Sequence, residues 1–227
     1  MKKYELTEET VTVHGKTLHR IKAVRDFGSV KAGEFGGYIE KEENLSHFGE
    51  AYVYDNAYVY GKAEVSGDAE VYGNAEVYGN ANVSGEASVF SNAKVYGDAE
   101  VYGDAKVSGN AKVYGKAEVY GDAEVYGDAK VYGDAKVSGD AEVYGEACVC
   151  DTRHFFVQGP IGSRNGFVTF YRTKDDTVGV RCGCFSGSIQ EFVDKVEQTH
   201  GGSRYEKEYK LAAELAKVCI HLEEESK

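Results

Sequence analysis

Ala93-Lys94-Val95-Tyr96-Gly97-Asp98-Ala99-Glu100-Val101-Tyr102-Gly103-Asp104 is two consecutive copies of a six-residue unit, A-x-V-[YS]-G-[DNKE]. Alanine recurs every six residues from Ala51 to Ala147, and valine follows two residues later from Val53 to Val149, giving seventeen units without a break. Neighbouring side chains of a strand point to opposite faces, so Ala and Val two positions apart share one face, and that face is the interior. The variable residue between them and the Tyr or Ser after Val point outward. Gly followed by Asp, Asn, Lys or Glu then makes a corner, where glycine supplies the positive φ that L-residues resist. Asp55, Ser91 and Asp151 stand where most units have that glycine. A four-residue strand with a two-residue corner cannot bury its Ala-Val face alone, so the units must coil and stack.

This pattern resembles the hexapeptide-repeat family. The resemblance implies a left-handed parallel β-helix of triangular cross-section, with three hexads to a coil. Seventeen hexads then make five to six coils, a prism roughly 27 Å long at the spacing of paired strands. Residues eighteen apart stack into ladders along each face. One ladder is Tyr60, Tyr78, Tyr96, Tyr114 and Tyr132; a second runs Tyr54, Tyr72, Phe90, Ser108, Tyr126 and Tyr144; the third is Ser66, Ser84, Tyr102, Tyr120 and Ser138. An unbroken tyrosine row is an amphipathic surface suited to a partner, and the family's habit is to form trimers, so the Tyr60 to Tyr132 row is the expected interface of a homotrimer. Stacking in support of the coils themselves explains the same row equally well.

The flanks hold nearly all the residues that could do chemistry. Before the repeat, residues 1–50 read as a small N-terminal β cap, needed because an open coil edge is a template for uncontrolled strand pairing. After residues 51–150, the β-helix, the composition changes at Asp151, and residues 151–227 read as a C-terminal α+β domain. Phe155 to Gln158, Phe167 to Thr173 and Thr177 to Cys182 are its three expected strands. Ser188-Ile189-Gln190-Glu191 and Ser203-Arg204-Tyr205-Glu206 are capping boxes opening two helices. The first helix should turn Ile189, Phe192, Val193 and Val196 inward; the second, Tyr205, Tyr209, Ala212, Leu215, Ala216 and Cys219. The fold class is therefore mainly β. Asp26 to Val30, Gly37 to Glu40 and Asn44 to Ser46, with Gly159 to Gly166 and Gly183 to Gly187, resemble the opening and closing segments of uncharacterised hexapeptide-repeat proteins of bacteria and their prophages. That resemblance covers nearly the whole chain and implies no established activity.

The net charge is −12, which argues against general nucleic-acid binding, because such proteins need a basic face to displace counterions from phosphates. Residues 51–150 carry 17 acidic residues against 7 lysines, with no arginine or histidine, so all seven arginines lie in the flanks. No stretch approaches the roughly 20 continuous apolar residues of a membrane span. Met1 to Thr10 has charges but no apolar signal region, and a cytoplasmic protein is expected. Five cysteines fit reduced thiols better than a disulfide framework. Cys148/Cys150 and Cys182/Cys184 are C-x-C pairs rather than zinc knuckles, so neither a metal nor another cofactor is expected.

Three functions compete. Many hexapeptide-repeat proteins are acyltransferases, and these use a histidine on or beside the coils as general base. Here only His47 and His154 border the repeat, so no catalytic residue is assigned. An acidic rod could mimic DNA or block a host protein, although lysines interleave with the carboxylates. The reading placed first is a non-catalytic protein that holds a small anionic ligand such as a nucleotide. Gly162, Ser163, Arg164 and Asn165 offer backbone N–H groups, a hydroxyl and a guanidinium within one loop, with Arg172, Arg181 and His200 as further candidates. In the prophage setting that the resemblance implies, such a protein would be an anti-defence sponge that sequesters a host immune signal.

Overall fold

The computed structural model describes residues 2–222. Its centre is a parallel β-solenoid of about six turns. The seventeen coil strands, β4 (Tyr52–Val53) through β20 (Cys148–Val149), pair in parallel with the strands one coil away. The register is eighteen residues, as in Val77↔Val95↔Val113 and Tyr78↔Tyr96↔Tyr114. Every third strand falls on the same face, which yields three sheets. One runs from Tyr52–Val53 to Glu142–Val143 in six strands, another from Glu64–Val65 to Lys136–Val137 in five. The third starts with β1 (Tyr4–Val13), β2 (Lys16–Ala23) and β3 (Phe35–Ile39), and continues from Tyr58–Val59 to Cys148–Val149 as a nine-stranded sheet.

All seventeen alanines and all seventeen valines of the hexads are buried in one continuous core. Alternation along a four-residue strand dictates this, and stacking at an eighteen-residue period places like on like. The hexad glycines take φ from +64° to +79°, and Asp55 and Ser91 take +53° and +63°, so those two residues fill the same corner despite carrying a Cβ. Asp151 does not. Its φ is −140°, and its side chain accepts from the Arg153 N–H to cap a short 3₁₀ turn, because the coil has already ended.

A solenoid leaves a row of backbone groups unpaired at each end, and burial makes each one costly. At the N-terminal end the exposed carbonyls are met by donors from the cap. The Tyr38 N–H donates to the Ala57 carbonyl and the Glu40 N–H to that of Val59. Two side chains do the same: Asn44 Nδ2 donates to Ala63 O at 2.7 Å, and Lys3 Nζ to Ala51 O at 2.6 Å. Lys3 is fully buried, and burial lowers its amine to about 8. The Tyr4 hydroxyl donates to the Leu45 and Glu42 carbonyls.

At the other end the polarity reverses, and acceptors are needed. Thr169 Oγ1 takes the Glu142 N–H at 2.9 Å, and His154 Nδ1 takes that of Cys150 at 3.3 Å. Both belong to the segment that follows the repeat. There, four antiparallel strands form a meander: β21 (Phe155–Ile161), β22 (Gly166–Arg172), β23 (Val178–Cys182) and β24 (Phe185–Ser188). Three strands are expected from the sequence; the fourth arises because Gly183, at φ +55°, closes a tight hairpin that pairs Cys182 with Phe185. β22 is two-faced. Thr169 and Tyr171 turn to the last coil, whereas Val168 and Phe170 join a second core with the helices.

Two helices close that second core, α1 (Ile189–His200) and α2 (Arg204–Cys219). The Ser188 box is complete: its hydroxyl accepts from the Glu191 N–H, and Glu191 accepts from the Ser188 N–H. The Ser203 box is shifted, with the Glu206 carboxylate taking the Gly202 N–H instead of that of Ser203. Phe192 and Val196 of α1 are buried as the pattern requires. On α2 the inward face is Tyr209, Ala212, Ala213, Ala216 and Ile220, and Leu215 departs from expectation by pointing outward, 46 % exposed. Small alanines let α2 approach α1 and β21 closely, and that rotation excludes Leu215.

Candidate functional site

The hairpin loop between β21 and β22 faces α1 across a cleft of about 560 Å³. Ser163 and Arg164 come from the loop, Lys195, Thr199 and His200 from α1, Tyr209 from α2, and Cys182 to Phe185 from the β23–β24 hairpin. Each is placed by a local rule. The loop is tight because Gly162 at φ +74° and Asn165 at φ +48° reverse the chain between the paired residues Ile161 and Gly166. Gly162 has no substitute: a Cβ there would lie 1.8 Å from the Tyr209 hydroxyl oxygen. Lys195 and Thr199 sit one helical turn apart and so share the side of α1 that faces the loop.

The backbone half of the expected anion cradle is already occupied. The Gly162 N–H donates to Glu208 Oε2 at 2.8 Å, and the Asn165 N–H to the Gly162 carbonyl. What remains for a ligand is side-chain chemistry. Among the described residues neither Arg164 nor Lys195 has an ion-pair partner. Glu142, the one carboxylate in the lining, is held by Arg181 Nε at 2.9 Å. The cleft is therefore locally cationic on an acidic protein.

Its floor is aromatic. Phe192 meets Tyr209 edge-on at 5.7 Å and Phe185 at 5.6 Å. The His200 ring stands 5.7 Å from Tyr209. Burial raises the Tyr209 hydroxyl, as do the adjacent Cys182 and Glu208, and Arg164 offsets only part of that rise. Burial likewise pushes the Cys182 thiol up, keeping it protonated and a poor nucleophile.

The structure thus brings Ser163, Arg164 and His200 together, keeps Gly162 and Asn165 in the same loop with their N–H groups already used, and separates Arg172 and Arg181. Arg172 is buried at 7 % exposure, pairs with Asp176 and approaches Cys150 Sγ at 3.9 Å. Arg181 lies over Tyr126 and Tyr144, with its guanidinium 5.8 and 5.3 Å from the ring centroids. Arg181 pairs with Thr169 and shares its coil-facing side, which could not be assigned until the docking was known, while Arg172, the last residue of β22, is drawn to Asp176 in the turn that follows. Lys195 and Thr199 escaped the sequence reading, although their four-residue spacing on one helix side was visible, and Tyr209 was read there only as part of the inward stripe of the second helix. A second group lies at the last coil, where Cys150 Sγ is 3.4 Å from His154 Nδ1 and Cys148 Sγ is 3.4 Å from the Tyr132 hydroxyl. Among the described residues no His, Cys, Asp and Glu side chains converge in metal-binding numbers, and no helix is long and apolar enough to cross a membrane.

The tyrosine row is built as the eighteen-residue period requires. Tyr60, Tyr78, Tyr96, Tyr114 and Tyr132 stack with centroids 4.9 to 5.1 Å apart and planes within 6°. Ring faces cover one another, and only the rims look outward. No family model and no curated protein matches this chain.

Proposed function

We propose that the cleft between the 162–167 loop and α1 holds a small anionic molecule with a flat ring, a nucleotide being the reference case. The observation that carries this reading is that Arg164 and Lys195, two cations with no ion-pair partner among the described residues, face one aromatic-floored cleft on a protein of net charge −12. An arginine donates paired, charge-assisted hydrogen bonds to phosphate, a lysine adds a point charge, and aromatic rings take a planar base. The lining supports holding rather than conversion. Its carboxylate is bound to Arg181 and its buried thiol stays protonated, so neither is poised as base or nucleophile. In the bacterial and prophage setting implied by the resemblance of the flanking segments, holding without turnover is sequestration. The resemblance of the repeat supports a left-handed winding of the coils.

The test is a thermal-shift comparison of wild type, Arg164→Ala and Lys195→Ala against AMP, ADP and cyclic AMP. Both side chains are on exposed positions, so the unliganded melting temperatures should stay within what about 0.5 kcal/mol produces. Each loss of a charged contact, about 2 kcal/mol, should raise Kd roughly thirtyfold and shrink the ligand-induced shift. If no probe stabilises wild type, or if one stabilises all three proteins equally, the cleft does not bind such a ligand.

A further inference from the structure

Cys148 and Cys150 stand on the last rung of the face that carries the unbroken tyrosine row. Cys150 lies one register step beyond Tyr132, so the row of Tyr60, Tyr78, Tyr96, Tyr114 and Tyr132 ends on a thiol. The two cysteines occupy outward positions two residues apart, which puts both thiols on one side of the strand. The Tyr132 hydroxyl is 3.4 Å from Cys148 Sγ, and it is raised by that hydrogen bond, by burial and by its hydrogen bond to Cys150, so one phenol touches both sulfurs. Cys150 Sγ is also 3.4 Å from His154 Nδ1, and the buried Arg172 guanidinium reaches it at 3.9 Å. Burial, with the Arg172 charge second, lowers His154, so its ring is neutral at neutral pH. Nδ1 is the unprotonated nitrogen, because the Cys150 N–H donates to it at 3.3 Å. An imidazole acceptor and a guanidinium on one sulfur are the surroundings in which a thiolate forms. Size alone does not select cysteine here: serine fills the position after valine at Ser66, Ser84 and Ser138 and would leave the same room for the turn that follows.

We propose that Cys150 is a hydroperoxide-reactive thiol and Cys148 its resolving partner, so that a peroxide converts the pair into a disulfide at the end of β20. His154 Nδ1 takes the Cys150 proton, and the Arg172 guanidinium stabilises the sulfur anion as it forms. The sulfur attacks the outer oxygen of ROOH. An S–O bond forms, the O–O bond breaks, and the leaving alkoxide takes the proton from the imidazole to become ROH. Cys150 is thereby oxidised by two electrons to the sulfenic acid and the peroxide is reduced. Cys148, whose cross-strand neighbour is Lys130, then attacks that sulfur; an S–S bond replaces the S–O bond, and the hydroxyl leaves with the Cys148 proton as water. Two thiols and one hydroperoxide thus give a disulfide, an alcohol and a water. Backbone positions two residues apart in a strand are separated by about 6.6 Å, near the upper limit for a disulfide, so closing the bridge bends the chain at Val149. Val149 is fully buried and its carbonyl accepts the Tyr132 N–H, which makes that hydrogen bond the reporter of oxidation.

The test treats the reduced full chain with hydrogen peroxide and follows the tryptic peptide of residues 137–153, which carries both cysteines and no other. That peptide should lose two hydrogens at least about tenfold faster than Cys184 is oxidised. Cys184 is the exposed thiol, with no hydrogen-bonded partner among the described residues, so exposure alone would put it first. Alkylation by iodoacetamide, which needs no second thiol, should show the same order. In Cys148→Ser the peroxide reaction should stop at the sulfenic acid, trapped on Cys150 by dimedone. His154→Gln keeps an acceptor for the Cys150 N–H while removing the base, and should slow oxidation at least about tenfold with an unchanged circular dichroism spectrum. Amide hydrogen exchange at Tyr132 should quicken in the oxidised wild type. Cys184 reacting first, an oxidation rate that His154→Gln leaves unchanged, or a wild type that retains sulfenic acid on Cys150 without bridging overturns the proposal.

Discussion

Replacing a corner glycine by alanine tests the coil stacking directly, because two glycines share a backbone conformation and differ only in what lies beyond them. Gly139 has φ +64° with nothing within 4 Å of a Cβ built on it. Gly97 has φ +78°, and its Cβ would meet Gly115 N at 3.0 Å and Gly115 O at 3.2 Å, all backbone of the next coil. For Gly139→Ala only the left-handed conformation is penalised, about 1–2 kcal/mol, partly offset by the reduced freedom of the unfolded chain. Gly97→Ala adds crowding against a backbone that cannot rotate away, about 1–3 kcal/mol more. For a chain of this size each kcal/mol moves the melting temperature by about 2–4 °C. Gly139→Ala should therefore lose only a few degrees, and Gly97→Ala clearly more, measured by far-ultraviolet circular dichroism on heating. Equal losses would refute the claim that coil-to-coil clearance, rather than backbone angle alone, demands glycine in the interior of the stack.

Tyr96 stacks on both neighbours at 4.9 Å, so Tyr96→Ala should lose about 1–3 kcal/mol in urea denaturation, whereas no loss would mean the row is unimportant to its own coils. Lys3→Met leaves the buried Ala51 carbonyl without its donor and should cost about 1–3 kcal/mol by the same method. The Lys3 amine, lowered to about 8 when folded, binds fewer protons than in the unfolded chain between pH 8 and 10.5. Its contribution to stability should accordingly rise through that window, seen as a pH-dependent gap between wild type and Lys3→Met, and a flat gap would contradict its burial. Burial raises Tyr78, Tyr96 and Tyr114, and raises Tyr102 to about 12. Folded stability from these hydroxyls is complete below pH 10 and is lost above it, so absorbance at the tyrosinate band should lag a free-tyrosine titration until the solenoid melts; a normal titration near pH 10 would count against the burial.

The solenoid was legible because a six-residue period repeats one local choice seventeen times, so small ambiguities at any strand average away. Even the exceptional corners Asp55 and Ser91 declared themselves by position. The C-terminal domain offers no such redundancy. The strand Phe185–Ser188 gave no sequence signal because a two-residue hairpin built on Gly183 leaves too little strand on its far side to show alternation. Leu215 looks like core on periodicity alone; only the choice of small residues Ala212, Ala213 and Ala216 for close packing turns it out. The cleft was half legible. The loop holding Ser163 and Arg164 was visible as a cluster of donors, but Gly162 had already given its N–H to Glu208, forty-six residues away. Arg172 and Arg181 are drawn off by Asp176 and Glu142, and no local pattern reveals partners chosen by docking.

The strict eighteen-residue register makes the rod a modular spacer with a built-in phase. Inserting one whole coil, for example a copy of residues 93–110, lengthens the prism but returns the chain to the same azimuth, so the docked domain keeps Thr169 on the final rung and Arg181 against Glu142, in the same orientation relative to the N-terminal cap. Inserting a single hexad also keeps the backbone pairing of the coils, yet it breaks each outward ladder at the insertion and swings the last coil, with the C-terminal domain docked on it, a third of a turn relative to the N-terminal cap. Length variants of this architecture should therefore come in steps of three hexads wherever the end domain must keep its orientation to the cap.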